Sequence, residues 1–236
     1  MMKLNIHVIT LFPDYFTSPL QSSLLGKAIN LKLIDVNIIN LRDFAINKYG
    51  QVDDTPYGGG HGMVLMIEPL KKALESIKET SYKILLTPRG FLWNQQKCLE
   101  TYNFLKHENR GGENKSITLI CGHYEGVDER IVEFIDESIC IGDYILSGGE
   151  SAALVLIDTL SRLIPGFMGN AESLTEESFN KNEYIEYPQY TKPSDFEGLK
   201  VPDILVSGHH ARIKEWRHQK SIDAYQKFRK VFEKQD

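Results

Sequence analysis

Residues 116–150, SITLICGHYEGVDERIVEFIDESICIGDYILSGGE, constrain the fold more tightly than any other part of this chain. They open on Ile117-Thr118-Leu119-Ile120-Cys121, an apolar run short and β-branched enough to predict a buried strand. That strand stops at Gly122, and a polar loop follows, His123-Tyr124-Glu125-Gly126. Asp128 is placed to cap a short helix running through Phe134. A second apolar run, Ser138 to Ile141, ends at Gly142-Asp143-Tyr144, and Gly148-Gly149 precede a long apolar helix predicted to begin near Glu150. Two strands in tandem therefore each end in a glycine loop and pass into a helix. In α/β sheets, ligands sit outside the carboxyl ends of the strands. Gly122, Gly142, Gly148 and Gly149 let a flat ligand approach the backbone there.

The rest of the chain repeats the pattern. Leu4, Ile6 and Val8 alternate with polar residues as a first strand, and Leu11-Phe12-Pro13 turns the chain out of it. Leu20, Leu24, Leu25 and Ala28 share one helical face, and residues 34–39 read as a second strand. Residues 48–63, KYGQVDDTPYGGGHGM, have no periodicity and form a long loop, either functional or simply a surface excursion. Its glycines match neither a phosphate loop nor a dinucleotide fingerprint. Glu68-Pro69 starts a helix with an apolar stripe at Leu70, Ala73, Leu74 and Ile77. Residues 82–86 are a third strand ending in the loop Thr87-Pro88-Arg89-Gly90, and 94–106 a further helix. Alternating strands and helices predict an α/β fold, a parallel sheet with helices on both faces. The helix after Gly149 is apolar nearly all round, so it is expected to be buried on most sides, in the core or against a second subunit.

The polar, aperiodic residues 169–182 read as a flexible linker. Beyond it, residues 183–236 hold Tyr184, Tyr187 and Tyr190 and end in a basic helical stretch. Residues 209–234 carry eight Lys/Arg against three Asp/Glu, a local excess of five positive charges in a chain of net charge −5. Interleaved cations and aromatics suit phosphates and bases. The same pattern also describes a solvated helix face whose Trp216 and Phe228 are core. The three cysteines, Cys98, Cys121 and Cys140, lack C-x-x-C spacing, which suits a reducing compartment. The first residues show no apolar signal segment, and no apolar run is long enough to span a bilayer, so a cytoplasmic location is expected. His123-x-Glu125 is too sparse for a zinc site. Asp53, Asp54, Glu125, Asp128, Asp143 and Glu150 are carboxylates near glycine loops, candidates for charge neutralisation or proton transfer, or else caps and ion-pair partners.

CGHYEGVDER, IGDYILSGGE and SRLIPG, with DDTPYGGGHGM at 53–63, resemble the signature blocks of the bacterial tRNA (guanine-N1) methyltransferases of the SPOUT class, the TrmD type. The likeness runs along nearly the whole chain. It implies methyl transfer from S-adenosylmethionine to N1 of the guanine at position 37 of tRNA. It implies a SPOUT domain over residues 1–168 threaded as a trefoil knot, a linker at 169–182, and a small, mainly helical tRNA-binding domain at 183–236. It implies a homodimer. The methyl-donor pocket would be Leu85, Leu86, Pro88, Gly122, Tyr124, Glu125, Ile141, Gly142, Asp143, Tyr144, Ile145, Leu146, Gly148 and Gly149. Arg162 matches the arginine assigned to the guanine, and Glu177 falls where the family has an aspartate base. Substrate contacts would come from Asp54, Tyr57, Gly59, His123, Arg212 and Arg217. His123 stands where an arginine is usual, and His61 where proline is common. Glu125 with a substrate oxygen could hold Mg²⁺. Two other classes stay open: an RNA-binding protein of this fold that has lost its chemistry, and a nucleotide-phosphate enzyme using the GGG loop.

Overall fold

The computed structural model describes residues 3–107, 114–169, 177–179 and 184–232. The chain divides into two compact units, Met1–Gly169 and Asn170–Asp236.

The first unit is built on five parallel strands: β1 (Lys3–Thr10), β2 (Ile34–Asn40), β5 (Tyr82–Leu92), β6 (Asn114–Cys121) and β7 (Glu137–Cys140), in the order β2-β1-β6-β5-β7. The two-residue period of a strand separates two cores. Leu4, Ile6, Val8, Ile84, Leu86, Ile117, Leu119 and Cys121 face one side, against α2 (Ser23–Asn30), α4 (Gln95–His107) and α5 (Glu150–Arg162). Ile9, Leu85 and Ile120 face the other, against α3 (Ile67–Glu75) and the 3-10 turn Glu129–Phe134. Helices on both faces of a parallel sheet are the expected α/β arrangement.

Several elements differ from the sequence reading. The apolar face around Leu20–Ala28 is split between α1 (Thr17–Gln21) and α2, because Ser23 takes a positive φ of 53° and Gly26 lies against the carbonyl of Gln21. The short helix expected from Asp128 through Phe134 is present, in 3-10 geometry, with Asp128 accepting the Arg130 N–H at 3.0 Å. Strand β5 does not stop at Leu86. It runs on to Leu92, with a register shift against β7 between Leu86 and Phe91. Thr87–Gly90 is thus a bulge, and Gly90 is pressed so closely on Ile139 that a Cβ would lie 2.3 Å from its nitrogen. Helix α5 is buried on most sides, as expected: Ala152, Ala153, Leu156, Ile157 and Leu160 pack inward, and only Val155 and Asp158 are exposed. The long loop contains one short antiparallel pair, β3 (Asp53–Asp54) with β4 (Val64–Leu65).

In the second unit, a two-residue turn at Glu197-Gly198, both at positive φ, joins β8 (Asp195–Phe196) to β9 (Leu199–Lys200). The short helix α6 (Asp203–Val206) leads into α7 (His210–Phe232). Of the segment read as a linker, residues 170–176 and 180–182 lie outside the described residues. No helix among the described residues is long and apolar enough to cross a membrane.

Candidate active site

A cleft of about 470 Å³ opens at the carboxyl ends of β5, β6 and β7. Three segments wall it: Leu86–Arg89, Gly122–Val127 and Ile139–Gly149. The second and third leave their strands where the sheet's own hydrogen bonding stops, and the first is the bulge within β5, so in all three the backbone is free to turn inward. The second segment turns at once: Gly126 N–H donates to the His123 carbonyl at 3.0 Å, with Tyr124 at φ 59°. A tyrosine in that left-handed region costs roughly 1–3 kcal/mol, the kind of strain that clusters at ligand sites. The third segment presses on the second. Gly149 N–H donates to the Gly122 carbonyl at 2.8 Å, and a Cβ on Gly149 would stand 2.7 Å from Cys121 Cα. Gly142 (φ 155°) curls under the Tyr144 ring, whose hydroxyl donates to the Ile141 carbonyl at 3.1 Å.

The long loop is tied to this wall through backbone. Glu125 N–H donates to the Met63 carbonyl (3.0 Å), Leu65 N–H to Gly126 (3.0 Å) and Asp128 N–H to Leu65 (2.9 Å). Gly62 abuts the Glu125 side chain so closely that a Cβ would meet it at 2.5 Å. The middle of the loop is different: Tyr57 is fully exposed and Gly58, Gly59 and Gly60 stand open at positive φ.

Behind the cleft, Glu150 at the start of α5 is a buried carboxylate. Burial pushes the neighbouring Cys121 thiol well above its ordinary range, and the Glu150 charge pushes it further. At the edge, the hydrogen bond from the Arg130 side chain holds the Asp128 carboxyl below its usual range against the opposing effect of burial. Among the described residues no group of three His, Cys, Asp or Glu could hold a metal ion.

Of the residues the resemblance assigns to the methyl donor, Leu86, Pro88, Gly122, Tyr124, Glu125, Ile141, Gly142, Tyr144, Ile145, Leu146, Gly148 and Gly149 line this one cleft, and His123 lines it too. Leu85 and Asp143 do not. Leu85 is one residue out of phase with Leu86, so its side chain joins the opposite core, and Asp143 faces solvent. Asp54, Tyr57 and Gly59 lie on the long loop; Asp54 accepts the Thr55 N–H at 2.7 Å. Arg162 sits half-buried in the last turn of α5, about 18 Å along the helix from Glu150 by helical rise. Glu177, Arg212 and Arg217 belong to the second unit. The sequence reading did not assign Thr87, Arg89, Gly126, Val127, Ile139, Cys140, Ser147 and Ala152 to the site, and all of them line the cleft. It also missed Thr10, which bonds Glu150 from 140 residues away and carries no local signal.

The second unit has its own cleft, about 1000 Å³, lined by Tyr184, Tyr187, Tyr190, Lys192, Lys214, Arg217 and His218 among others. Arg217 stacks over the Tyr187 ring at 4.7 Å. Trp216 is half-buried against Tyr190, with centroids 6.4 Å apart, and Phe228 against Phe179 at 5.4 Å. Both aromatics that could have been either core or stacking platforms are thus partly used in packing.

A glycine-walled cleft at the carboxyl ends of a parallel sheet fits many ligands, and the comparisons narrow it. The profile of the family described as tRNA (guanine-1)-methyltransferase TrmD matches residues 2–235. A tRNA (guanine-N(1)-)-methyltransferase of Lactobacillus helveticus is 48% identical over 221 residues, 94% of this chain and 87% of the relative. Its namesake from Metamycoplasma arthritidis is 47% identical over 229 residues, 97% and 94% of the two chains. The one from Dictyoglomus turgidum is 49% identical over 220 residues, 93% and 85%. With the parallel five-stranded sheet and its loop cleft in place, a match over almost every residue leaves one conclusion: this chain belongs to the TrmD family of tRNA (guanine-1)-methyltransferases.

Proposed function

We propose that the chain methylates N1 of a guanine in tRNA, the one at position 37 beside the anticodon, with S-adenosylmethionine as methyl donor. The observation that carries this reading is the cleft at the ends of β5–β7, in a chain whose relatives are named tRNA (guanine-N(1)-)-methyltransferase. The fit to the donor rests on shape. Gly142, Gly148 and Gly149 leave room where a Cβ would collide within 3 Å with neighbouring atoms, so the walls come together as a narrow, rigid slot. Apolar Leu86, Ile141, Ile145 and Leu146 suit a purine face, and exposed backbone groups suit its edge. When bound, the donor supplies a methyl group activated by a sulfonium.

The protein's own task is positioning and proton transfer. Guanine N1 carries a proton and is a poor nucleophile while it does. Glu177 is the residue we assign to accept that proton, and Arg162 the cation that stabilises the charge left on O6. Arg162 lies about 18 Å along α5 from the end that meets the cleft, a separation that a site shared between two copies of the chain would bridge, so we read the enzyme as a homodimer. The knotted path is what membership of the family implies for residues 1–168. Residues 183–236 are read as the tRNA grip, from the cations and aromatics of their cleft. A Mg²⁺ arriving with substrate would meet Glu125, the exposed carboxylate of the cleft; one carboxylate plus substrate oxygens is within that ion's habits. The reaction belongs where tRNA is, in the cytoplasm. The three relatives reported above are each named as methyltransferases, so an RNA-binding role without chemistry has no support from them.

The test is transfer of labelled methyl from S-adenosylmethionine to unmodified tRNA, with the product base mapped. Label at N1 of guanine 37 is expected. Label on another base, or calorimetric binding of ATP rather than of the donor, overturns the reading.

A further inference from the structure

Glu150 sits behind the cleft as a carboxylate only 4% exposed. Its Oε1 accepts the Thr10 hydroxyl at 2.7 Å, and that hydroxyl in turn accepts the Phe12 N–H at 2.9 Å, so the Thr10 proton is committed to Glu150. Its Oε2 faces His123 Nδ1 at 4.0 Å. Among the described residues no Lys or Arg pairs with Glu150, and the imidazole is its one basic neighbour within that distance. A buried carboxylate left without a second partner is costly, and the N-terminus of α5 offsets only part of that.

His123 carries the complementary defect. Its Nδ1 is sealed from solvent and has no hydrogen-bond partner, although the side chain as a whole keeps 19% exposure and lines the cleft. The ring is held between Phe12 (centroids 4.9 Å) and Tyr124 (4.8 Å). Gly148 leaves the line between the two groups open: a Cβ there would stand 2.3 Å from Glu150 Oε2 and 2.4 Å from His123 Nδ1. A shift of about 1 Å closes the gap to an ordinary hydrogen bond. The only donor available for that bond is Nδ1–H.

We propose that Glu150 is a positioning residue that holds His123 as its Nδ1–H tautomer, so that Nε2 meets the cleft as a hydrogen-bond acceptor for an N–H edge of a purine. This deepens the function proposed above and rests on it for the identity of the purine. A neutral imidazole donates at one nitrogen and accepts at the other, and the carboxylate decides which. The accepting nitrogen therefore selects a ligand edge bearing N–H, either the 6-amino group of the donor's adenine or the 2-amino group of guanine.

Nitrogen-15 spectra of the imidazoles in the ligand-free, full-length protein test the pair directly, with His123→Gln identifying the signal. The wild type should show His123 as Nδ1–H. Glu150→Gln keeps the Thr10 bond and the shape, but its amide can donate to Nδ1, so it should convert the ring to Nε2–H. Gly148→Ala, which keeps both side chains and wedges a methyl between them, should also abolish the Nδ1–H form. An Nε2–H ring in the wild type, or a tautomer indifferent to both variants, overturns the proposal. Calorimetry separates the two purines. About tenfold weaker binding of S-adenosylmethionine to Glu150→Gln assigns the contact to adenine. Unchanged donor binding with about tenfold higher KM for tRNA assigns it to guanine; no change in either overturns it. The tautomer is read without substrate, so a wild type that has the Nδ1–H ring but methylates no tRNA refutes the function and leaves the pair standing.

Discussion

The two clefts of this protein are built by opposite means. In the first unit the walls are backbone: Gly142, Gly148 and Gly149 sit where an added Cβ would strike a neighbour within 3 Å, and Tyr124 is held at positive φ. In the second unit the walls are side chains on and beside one long helix, tyrosines and cations with Arg217 laid on Tyr187. A backbone slot cannot adapt, so it suits one small rigid ligand whose reacting atom must be placed to within a fraction of an ångström. Long side chains re-aim at low cost, so they suit a large, charged and variable partner such as folded RNA. The difference teaches that precision and tolerance are divided between the two units.

The sharpest way to break that division is to remove one side of it. Deleting residues 170–236 should leave a folded first unit that binds S-adenosylmethionine, since its two cores lie wholly within residues 4–168, while tRNA methylation is lost entirely. Turnover of tRNA by the fragment would sink the comparison. Next in size, Glu177→Gln should lower single-turnover transfer by at least about 10²-fold with donor affinity unchanged, and Glu177→Asp should keep much of the rate. Weakened donor binding in Glu177→Gln would place the residue in the wrong cleft. Gly149→Ala should destabilise the fold by about 1–3 kcal/mol in denaturant titrations, because its new methyl meets the Cys121 backbone, which cannot swing aside. Arg217→Ala, by contrast, should leave the denaturation midpoint nearly unmoved and weaken tRNA binding roughly fivefold, the scale of one lost hydrogen bond to the RNA. If Gly149→Ala were harmless and Arg217→Ala unfolded the protein, the roles of backbone and side chain would be exchanged.

The smallest effect is chemical. Burial pushes the Cys98 thiol up to about 11 and the Cys121 thiol well above its ordinary range, so both stay protonated and unreactive at neutral and mildly alkaline pH. Cys140 is half-buried and lines the cleft. Alkylation followed by mass spectrometry should label Cys140 first, and S-adenosylmethionine should protect it. Equal labelling of all three cysteines would mean that the glycine-walled cleft is far looser than its geometry.

Much of this molecule was legible before folding was considered. Strands, glycine loops and the helix after Gly149 follow from local pattern, because apolar period and turn chemistry are properties of short segments. The resemblance carried by CGHYEGVDER and IGDYILSGGE named many of the residues that line the cleft, left out others such as Thr87, Ile139 and Ser147, and included two that do not line it, Leu85 and Asp143. One failed by strand phase, the other by facing solvent, and neither property is visible in a motif.

What the sequence alone determined is the alternation of strands and helices, the family, and the charge asymmetry of the last helix. What only the tertiary structure decided is who meets whom. Thr10 reaches Glu150 across 140 positions, and Gly149 presses on Cys121 across 28, because the parallel sheet places β1 beside β6 and carries the loops of β6 and β7 to one edge. Pattern in a sequence has the range of a helical turn or a strand pair. A parallel sheet joins strands that are distant in the chain, so the contacts that shape the cleft lie beyond that range.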